Sequence, residues 1–471
     1  MSSHSLKMSE QPTSEHEDKV DVPGQVEAAT VDDVFGELTE NGPNYRNVGF
    51  LGTVVLMMKT QIGLGVLAIP SALEVLGMVP GVICLVLIGA MTTWSGWMIG
   101  RFKLNHREMY SIDDAGAIIW GTPGRVICAI AFCLYYIFNS ASAILGISIG
   151  LNAVSSHATC TAAFSAIAAI VGFGLSSIRT LGRITWLAWV GLPCIMSAII
   201  IVTIAVGIED RPASAPKTSE PWTSDWVAVA NPGFAKGIAA VANLLFAFSG
   251  APAFFAIASE MRDPKHFGPA VVICQMGITI IYTVIGCVIY YYCGTYVSSP
   301  ALGSAGGLIK IVSYAFALPG LLVTMTIVTH IPAKYCFVHI LRGSKHLASN
   351  SATHWITWLS CTLGTTVIAY IIASSIPSFD DMVSLIGAFV SPTICLIPYA
   401  GMWLFDNWHK GQGQRKTPFW IFMVSFCVFV IVIGLFITGA GTYGSVMNIK
   451  ASYAASGGSA AFSCADNSNS S

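Results

Sequence analysis

Ten long segments of this chain contain no Asp, Glu, Lys or Arg, and this feature constrains the fold more than any other. An uncharged apolar run of about 18 residues or more is typical of a membrane-spanning helix. One further apolar segment contains a single charge, Lys59. The sequence therefore predicts an all-α polytopic membrane protein. Its eleven spans are predicted at 47–73, 78–100, 126–151, 158–178, 184–208, 237–259, 267–293, 311–333, 355–375, 382–405 and 419–441.

The two ends of the chain differ from this apolar region. Residues 1–44 hold ten acidic residues against Lys7 and Lys19 and few large apolar ones, so we expect a disordered acidic tail. The helical domain is predicted to cover 45–449, which leaves a short tail at 450–471. With the N-terminus cytosolic, seventeen Lys and Arg residues fall on inner segments and five on outer ones. This asymmetry predicts a cytosolic N-terminal tail and an extracellular C-terminal tail.

Two of the spans are interrupted near their centres by helix-breaking residues. QIGLGVLAIP (61–70) places two glycines and a proline in the first span, and FAFSGAPAFF (246–255) places Gly250 and Pro252 in the sixth. Interrupted spans five apart are typical of two inverted five-helix repeats whose first helices are discontinuous, with the eleventh helix outside the repeat. The alternative is that these residues are ordinary packing notches and a kink.

Such breaks have a specific chemistry. A half-helix N-terminus at mid-membrane favours a carboxylate, and the freed carbonyl groups favour an ammonium or another cation. A zwitterionic α-amino acid carries both groups on one carbon. Two broken helices side by side therefore predict an amino-acid site built without a charged side chain.

The stretches MMKTQIGLGVLAIP (57–70) and FAFSGAPAFFAIASEMRDP (246–264) resemble the first- and sixth-helix signatures of the amino acid/auxin permease family. The resemblance is closest to the fungal neutral amino-acid permeases and covers about 45–445. It implies a leucine-transporter-like fold and secondary active amino-acid transport, driven by protons in fungi. One departure is Ala251, where many relatives carry His, so a proton-coupling role for that histidine does not carry over.

The resemblance also implies substrate contacts. The substrate carboxylate would meet the backbone of the first break, and the ammonium would meet carbonyls of the second. Phe246 and Phe254 flank the second break and are predicted to line a side-chain pocket, with ordinary packing as the alternative. Tyr135, Tyr136 and Asn139 are polar groups in the third span; one tyrosine is predicted to cap the carboxylate, with helix–helix hydrogen bonds as the alternative. The backbone contacts implied are Ile62, Gly63, Leu64 and Gly65 in the first break, and Phe248, Ser249 and Gly250 in the second.

Lys59 and Glu260 are the candidate gate and coupling residues. A charge within a span is by default a functional candidate. In the resembling fold the two half-helices are neighbours, so Lys59 and Glu260 are predicted to pair across the inner gate. The alternatives are a Lys59 that reaches the inner interface and a Glu260 that ends a helix in solvent.

The eighth span offers hydroxyl groups at Thr324, Thr326 and Thr329, with His330 beside them. In sodium-coupled relatives, hydroxyls of this helix help to hold sodium. Here Thr326 and Thr329 are coupling candidates, with back-bonding to their own helix as the alternative. Protons are the predicted coupling ion and sodium is the alternative.

The predicted outer side carries several further candidates. Glu74, Asp380 and Asp381 fall at helix ends, where solvated caps are favoured over an outer-gate role. Cys160 and Cys293 both face an oxidising compartment, which allows a disulfide; the family, which often has an outer disulfide there, favours this pairing. Asn469-Ser470-Ser471 fits an N-glycosylation acceptor.

These observations predict a proton symporter that imports neutral L-amino acids, aromatic and aliphatic, across the plasma membrane by alternating access. A vacuolar exporter or exchanger and an ion channel are the alternatives. We find no metal-ligand spacing, no G-x-S-x-G and no phosphate loop, so we predict neither an enzyme nor a cofactor. The partners are an amino acid and the lipid bilayer, with ubiquitin machinery acting at the N-terminal tail; a net charge of −1 and no basic stripe indicate no nucleic acid.

Overall fold

The computed structural model describes most of the chain from Val48 onward as helix. The described residues are 30–32, 36–38, 48–178, 181–216, 222–342, 344, 346, 351–376, 378–408, 417–455 and 462–468. The ubiquitin candidates Lys7 and Lys19 and the glycosylation motif at 469–471 lie outside them.

Sixteen α-helices are described, and they follow the apolar segments of the sequence. In the first half they are α1 (Phe50–Gln61), α2 (Ile69–Leu76), α3 (Met78–Asn105), α4 (Ile112–Ser155), α5 (Thr161–Ser176) and α6 (Leu181–Ile208). In the second half they are α7 (Phe234–Ala247), α8 (Ala251–Glu260), α9 (Phe267–Cys293), α10 (Gly307–Leu341), α11 (Ala352–Ser375), α12 (Phe379–Phe389), α13 (Ser391–Cys395), α14 (Ile397–Trp408), α15 (Pro418–Phe436) and α16 (Thr442–Ala455). A π-helical turn, Ile437–Gly441, joins α15 to α16.

The N-terminal tail contains two short strands. β1 (Thr30–Asp32) pairs antiparallel with β2 (Gly36–Leu38). The composition of the tail did not indicate this hairpin. Disorder stays a prediction for the part of 1–44 that is outside the described residues.

Eight of the described helical stretches are long and apolar enough to cross a membrane, and two bent pairs raise the number to ten. The bent pairs are Phe50–Gln61 with Gly65–Leu76, at 45°, and Phe379–Phe389 with Ser391–Trp408, at 49°. The remaining predicted span, α5, has 16 residues, so it is about 24 Å long against a hydrocarbon core of about 30 Å. All eleven predicted segments are therefore helical, and α5 stays a predicted span.

α4 is much longer than the span predicted at 126–151. A capping box at Ser111 and Asp114 starts it in the connection after α3, where two backbone N–H groups gain side-chain acceptors. The chain then kinks at Gly121, whose φ of 68° is a conformation that favours glycine. The first turns of α4 are thus set off from the apolar span by this kink.

The broken spans are neighbours within the helical domain. α2 packs against α7, α1 packs against α8, and α9 contacts both α1 and α2. Around them, α10 packs against α4 and α6, and α12 packs against α7. This packing brings the two breaks together, while the inverted-repeat relation between the halves stays a prediction.

Candidate functional site

The first span is broken where QIGLG predicts it. α1 ends at Gln61, and Ile62 leaves the helical region with φ −74° and ψ 97°. The chain resumes as a 3₁₀ turn, Gly65–Ala68, followed directly by α2. Pro70 lies in the first turn of α2, where its missing N–H interrupts no helical bond.

The sixth span is interrupted more gently. α7 ends at Ala247, and Phe248 adopts φ −95° and ψ 5° before α8 begins at Ala251. The N–H of Phe248 donates to the Leu245 carbonyl at 3.2 Å, so a tight turn replaces the regular helical hydrogen bond. Although the hydrogen-bond pattern is broken, Phe234–Glu260 reads as one apolar span.

The two breaks touch each other through their glycines. A Cβ built on Gly65 would lie 2.5 Å from Cα of Ala247, and a Cβ on Gly250 would overlap Cγ of Gln61. A side chain at Gly65 would push the two backbones apart. One at Gly250 would collide with the side chains of Gln61 and Thr60. Gly65 and Gly250 are therefore required for close approach.

Two tyrosine hydroxyl groups lie within hydrogen-bonding distance of carbonyl groups at the breaks. The Tyr282 hydroxyl lies 2.9 Å from the Gln61 carbonyl and 3.1 Å from the Ala247 carbonyl, at the ends of α1 and α7. The Tyr135 hydroxyl donates to the Ser249 carbonyl. An unpaired carbonyl at this depth would be costly, so these hydroxyl groups stabilise the breaks.

A small cavity lies beside the second break. Its volume is about 40 Å³, so the helices leave little free space beside the break. Five predicted site residues meet here: Lys59, Tyr135, Asn139, Ser249 and Gly250. The rest of the lining is Thr60, Tyr136, Ala253, Thr324, Ile327, Val328 and Ile331.

The other predicted contacts lie behind this lining. Ile62, Leu64, Phe248 and Phe254 are buried, and a Cβ on Gly63 would lie 3.4 Å from the Thr324 hydroxyl, close to the cavity. The Phe248 ring packs edge-on against Tyr282, with ring centres 5.2 Å apart.

The structure does not bring Phe246 and Phe254 to the cavity. The Phe254 ring fills the space beside Gly96 of α3, so its role is packing. Phe246 lies one helical turn outward from Gly250.

Lys59 faces α10 and α6 rather than the inner gate. Its side chain is 3% exposed, and Nζ donates to Thr324 Oγ1 at 2.7 Å. A Cβ on Gly191 of α6 would lie 3.1 Å from Lys59 Cε. Among the described residues no carboxylate oxygen lies within 4 Å of Nζ.

The predicted Lys59–Glu260 pair is wrong. Glu260 ends α8 and has Lys334 of α10 as its charged neighbour, whereas Lys59 lies close to the helix break. The predicted inner ends of the broken spans are joined by backbone hydrogen bonds instead. The Val48 N–H donates to the Glu260 carbonyl at 3.1 Å, and the Arg262 N–H donates to the Val48 carbonyl at 3.0 Å.

Hydroxyl groups of α10 divide between two faces. Thr324 contacts Lys59, while Thr329 Oγ1 lies 2.6 Å from Ser140 Oγ of α4 and Thr326 bonds back to the Leu322 carbonyl at 2.8 Å. Thr326 and Thr329 thus do not line the cavity, and Thr326 follows the back-bonding alternative.

His330 of α10 is fully buried. Its Nδ1 lies 3.3 Å from the Ser176 carbonyl, and its ring packs edge-on against Trp358. Both contacts face away from the cavity residues of α10.

Sequence reasoning missed two buried residues at the breaks, Gln61 and Tyr282. The Gln61 side chain is 4% exposed, and neither atom of its amide has a hydrogen-bond partner in the described part of the chain. Its position as the first letter of QIGLG was the available signal. Tyr282 is one of several polar residues in its span, and nothing local distinguishes it.

The predicted disulfide is corrected by the structure. Cys160 bonds to Cys464 in the C-terminal tail, and Cys293 is a free, fully buried thiol at the end of α9. The tail reaches Cys160 because Asn467 accepts from Asn152 at 2.7 Å and the Ala465 carbonyl accepts from Thr161 at 2.7 Å. The presence of a third cysteine in a predicted outer segment, Cys464, was the missed signal.

Comparison with known proteins now gives the family. A family model described as transmembrane amino acid transporter protein matches residues 46–445. A transmembrane transporter of Gibberella moniliformis is 34% identical over 476 residues, covering 99% of each chain. The N amino acid transport system protein of Neurospora crassa is 32% identical over 432 residues, covering 91% of each chain. The chain is a multi-pass membrane protein that belongs to the transmembrane amino acid transporter family.

Proposed function

We propose that this chain imports neutral L-amino acids, aromatic and aliphatic, by proton symport, with alternating access around the two broken spans. One observation carries the proposal: two helix breaks meet beside a cavity whose described lining holds a single charged residue, Lys59. The family and the Neurospora relative support amino acids as the substrate class.

The polar groups of the cavity suit the common part of an amino acid. The backbone of residues 62–65 would take the carboxylate, and the second break, around Ser249, would take the ammonium, with Asn139 and Tyr135 as neighbours. The amide of Asn139 donates to the Tyr135 carbonyl at 2.8 Å, which fixes its orientation. Binding requires the helices to separate, because a cavity of about 40 Å³ does not admit an amino acid.

The remaining lining favours uncharged side chains. Ala253, Ile327, Val328 and Ile331 present apolar surface. A cationic side chain would find no carboxylate among the described lining residues, and burial of an unpaired charge is strongly unfavourable. Neutral substrates are therefore the best match.

Lys59 is our candidate for proton coupling. It is the one charged residue in the described lining of the small cavity, and a charge within a span is by default a functional candidate. Loss of the proton would weaken the bond to Thr324 and allow α1 to move relative to α10. The proton on Lys59 would in this way be linked to the gate between α1 and α10.

Uptake of labelled leucine and phenylalanine into proteoliposomes tests the proposal. With the membrane potential clamped at zero, a pH gradient of about one unit sustains about tenfold accumulation by a one-proton symporter, since each corresponds to about 1.4 kcal/mol. We expect accumulation with acid outside, competition by neutral amino acids, and weak competition by lysine or glutamate. Accumulation driven by sodium alone would contradict proton coupling, and unsaturable flux would favour the channel alternative.

The Lys59→Met variant tests the coupling residue. It keeps the length of the side chain and removes the proton-binding group, so we expect exchange of internal for external substrate to continue while accumulation falls towards a ratio of one. Lys450→Met, at an exposed lysine of α16, is the matched control and should accumulate normally. Accumulation by Lys59→Met at the unmodified level would refute the assignment.

We place the protein in the plasma membrane, with a vacuolar exporter as the alternative. The positive-inside pattern orients the N-terminus to the cytosol, where the tail with Lys7 and Lys19 would be open to ubiquitin-dependent removal from the surface. A fluorescent fusion of the unmodified chain should reach the cell surface and be internalised. The same fusion with both lysines changed to Arg should stay at the surface, and these two results would support this placement. A vacuolar signal would favour the alternative.

A further inference from the structure

A second and larger cavity lies at the predicted outer ends of the broken spans. Its volume is about 390 Å³, and α2, α7, α12 and α16 contribute its walls. Its charged lining residues are Lys236, Asp380 and Asp381. This cavity is separate in its lining from the small cavity beside the second break.

Asp380 connects three other elements through one oxygen atom. Its Oδ1 accepts from Ser71 Oγ of α2 at 2.9 Å, from Asn243 Nδ2 of α7 at 2.9 Å, and from Ser299 Oγ, after α9, at 3.2 Å. Among the described residues no Lys, Arg or His nitrogen lies within 4 Å of this carboxylate. Hydrogen bonds to a charged acceptor are about twice as strong as neutral ones, so one side chain fastens the outer halves of both broken spans to α12.

The contact between α12 and α7 continues inward from Asp380. A Cβ on Gly387 would overlap the Ala242 carbonyl and lie 3.2 Å from Cβ of Phe246, so the two helices touch backbone to backbone. Along α7, Asn243 lines the outer cavity, Phe246 follows one turn later, and Gly250 lines the small cavity after one more turn. The seam between α7 and α12 therefore lies between the two cavities.

The span that begins with α12 is interrupted at Val390, before α13, and at Leu396, after it. Val390 stays in the right-handed helical region, whereas Leu396 leaves it. Val390 has φ −110° and ψ −37°, and Leu396 has φ −126° and ψ −60°. The five-residue α13 lies between them, and the two parts of the span meet at 49°. A few such terminal residues are sufficient to absorb the backbone changes of a hinge.

We propose that α12 is the moving part of an outer gate and that Asp380 is its latch. In the closed form Asp380 holds α12 against α2 and α7, and the seam at Gly387 blocks the route from the outer cavity to the helix breaks. Release of the three hydrogen bonds lets α12 turn at Val390–Leu396 and opens that route. The inference rests on the proposed transport function, for which it supplies the outer gate.

Asp381, the next residue, has a different role. Its Oδ2 accepts from Ser452 Oγ of α16 at 2.6 Å, and its N–H is capped by Ser378. Two adjacent aspartates on one helix end thus hold different neighbours, which makes Asp381 a matched control. Both variants lose one negative charge from the same cavity, whose other charged groups, Lys236 and nearby Glu74, stay in place.

The gate can be tested by cysteine labelling in right-side-out vesicles. Ser384→Cys, a 2%-exposed position on the α12 wall of the outer cavity, is the reporter, and the unmodified chain is the blank. We expect Asp380→Asn to speed the reaction of the reporter cysteine with a membrane-impermeant methanethiosulfonate by at least about tenfold, because the closed form loses a charge-assisted hydrogen bond. Asp381→Asn should change the rate by less than about twofold, because it leaves the latch intact.

Three further measurements keep the inference open to refutation. Ala240→Cys, on the α7 wall, serves as a second reporter if Ser384→Cys fails to fold. Asn243→Ala should also speed labelling of the reporter cysteine. Its effect should be smaller in the Asp380→Asn background than in the unmodified background, because the two residues share one hydrogen bond. Equal labelling rates in the Asp380 and Asp381 variants would overturn the latch. The labelling experiment needs no amino acid. If Asp380→Asn speeds labelling, but the unmodified chain transports no amino acid and amino acids do not slow the labelling, the proposed function is refuted and the latch is not.

Discussion

The predicted outer and inner ends of the two broken spans are held together by different chemistry. At the outer end one carboxylate, Asp380, collects side-chain donors from α2, α7 and the segment after α9. At the inner end the backbone of Val48 pairs with the backbone at Glu260 and Arg262. The outer connection can therefore be changed by substituting one side chain, whereas the inner one is insensitive to most substitutions and must be opened by moving the chain itself.

Between these ends, the breaks are held by close packing around two glycines. Gly65 lies against Ala247, and Gly250 lies against Gln61. A moving part needs connections that can be released at its ends and a fixed contact at its centre. We expect substitutions at the centre to be the most damaging.

Gly65→Ala should have the largest effect. The added methyl group would lie 2.5 Å from Cα of Ala247, and overpacking of this kind costs about 1–3 kcal/mol, which corresponds to a loss of about five- to 150-fold in uptake. Initial uptake rates, normalised to surface expression, measure it. Gly364→Ala in α11, where a Cβ would meet nothing within 4 Å, is the control. Similar uptake by both variants would show that the centre is not a fixed contact.

Val48→Pro tests the backbone connection at the inner end. Proline removes the N–H that donates to the Glu260 carbonyl, whereas Val48→Ala keeps it. The lost hydrogen bond contributes about 0.5–1.5 kcal/mol to the closed form. Ala253→Cys, at the small cavity, is the reporter, and in inside-out vesicles its labelling should rise about two- to tenfold. If Val48→Ala raised labelling as much as the proline variant, side-chain packing and not the backbone pairing would hold the inner end.

Replacing the disulfide should have the smallest effect, because Cys160 and Cys464 belong to neither connection. The tail keeps its bonds from Asn152 and Thr161, and the double variant Cys160→Ser, Cys464→Ser should retain uptake to within about twofold. Maleimide labelling of denatured protein would verify the pairing: the unmodified chain should gain two thiols on reduction, and the double variant none. A large loss of uptake would place the tail within the moving parts.

The local features of the fold were predictable from the sequence. The apolar segments became helices, and both interruptions are present, because Gly and Pro act on the backbone at their own positions. The bend in the span at 382–405 was not predicted, although Pro392 and Pro398 lie within it. Its break involves Val390 and Leu396, whose conformations do not follow from their own preferences.

Part of the predicted site set lies together in the structure, while its role stays a prediction. Lys59, Tyr135, Asn139, Ser249 and Gly250 do meet at one cavity, since the breaks and the polar residues of a span are visible locally. The partners of charged residues were not predictable in the same way. Glu260 was matched to Lys59 on the basis of neighbouring half-helices, but helix rotation directs Lys59 to Thr324 on α10.

The sequence alone determined that this chain enters a membrane and which segments are helical, and it located the ends of α1 and α7 near QIGLG and FAFSGAPAFF. These properties depend on apolar composition and on backbone preferences within a few residues. The tertiary structure decided the partners: Thr324 for Lys59, Cys464 for Cys160, and the three donors for Asp380. Those contacts join residues between 81 and 309 positions apart, and only the packing of whole helices brings them within bonding distance.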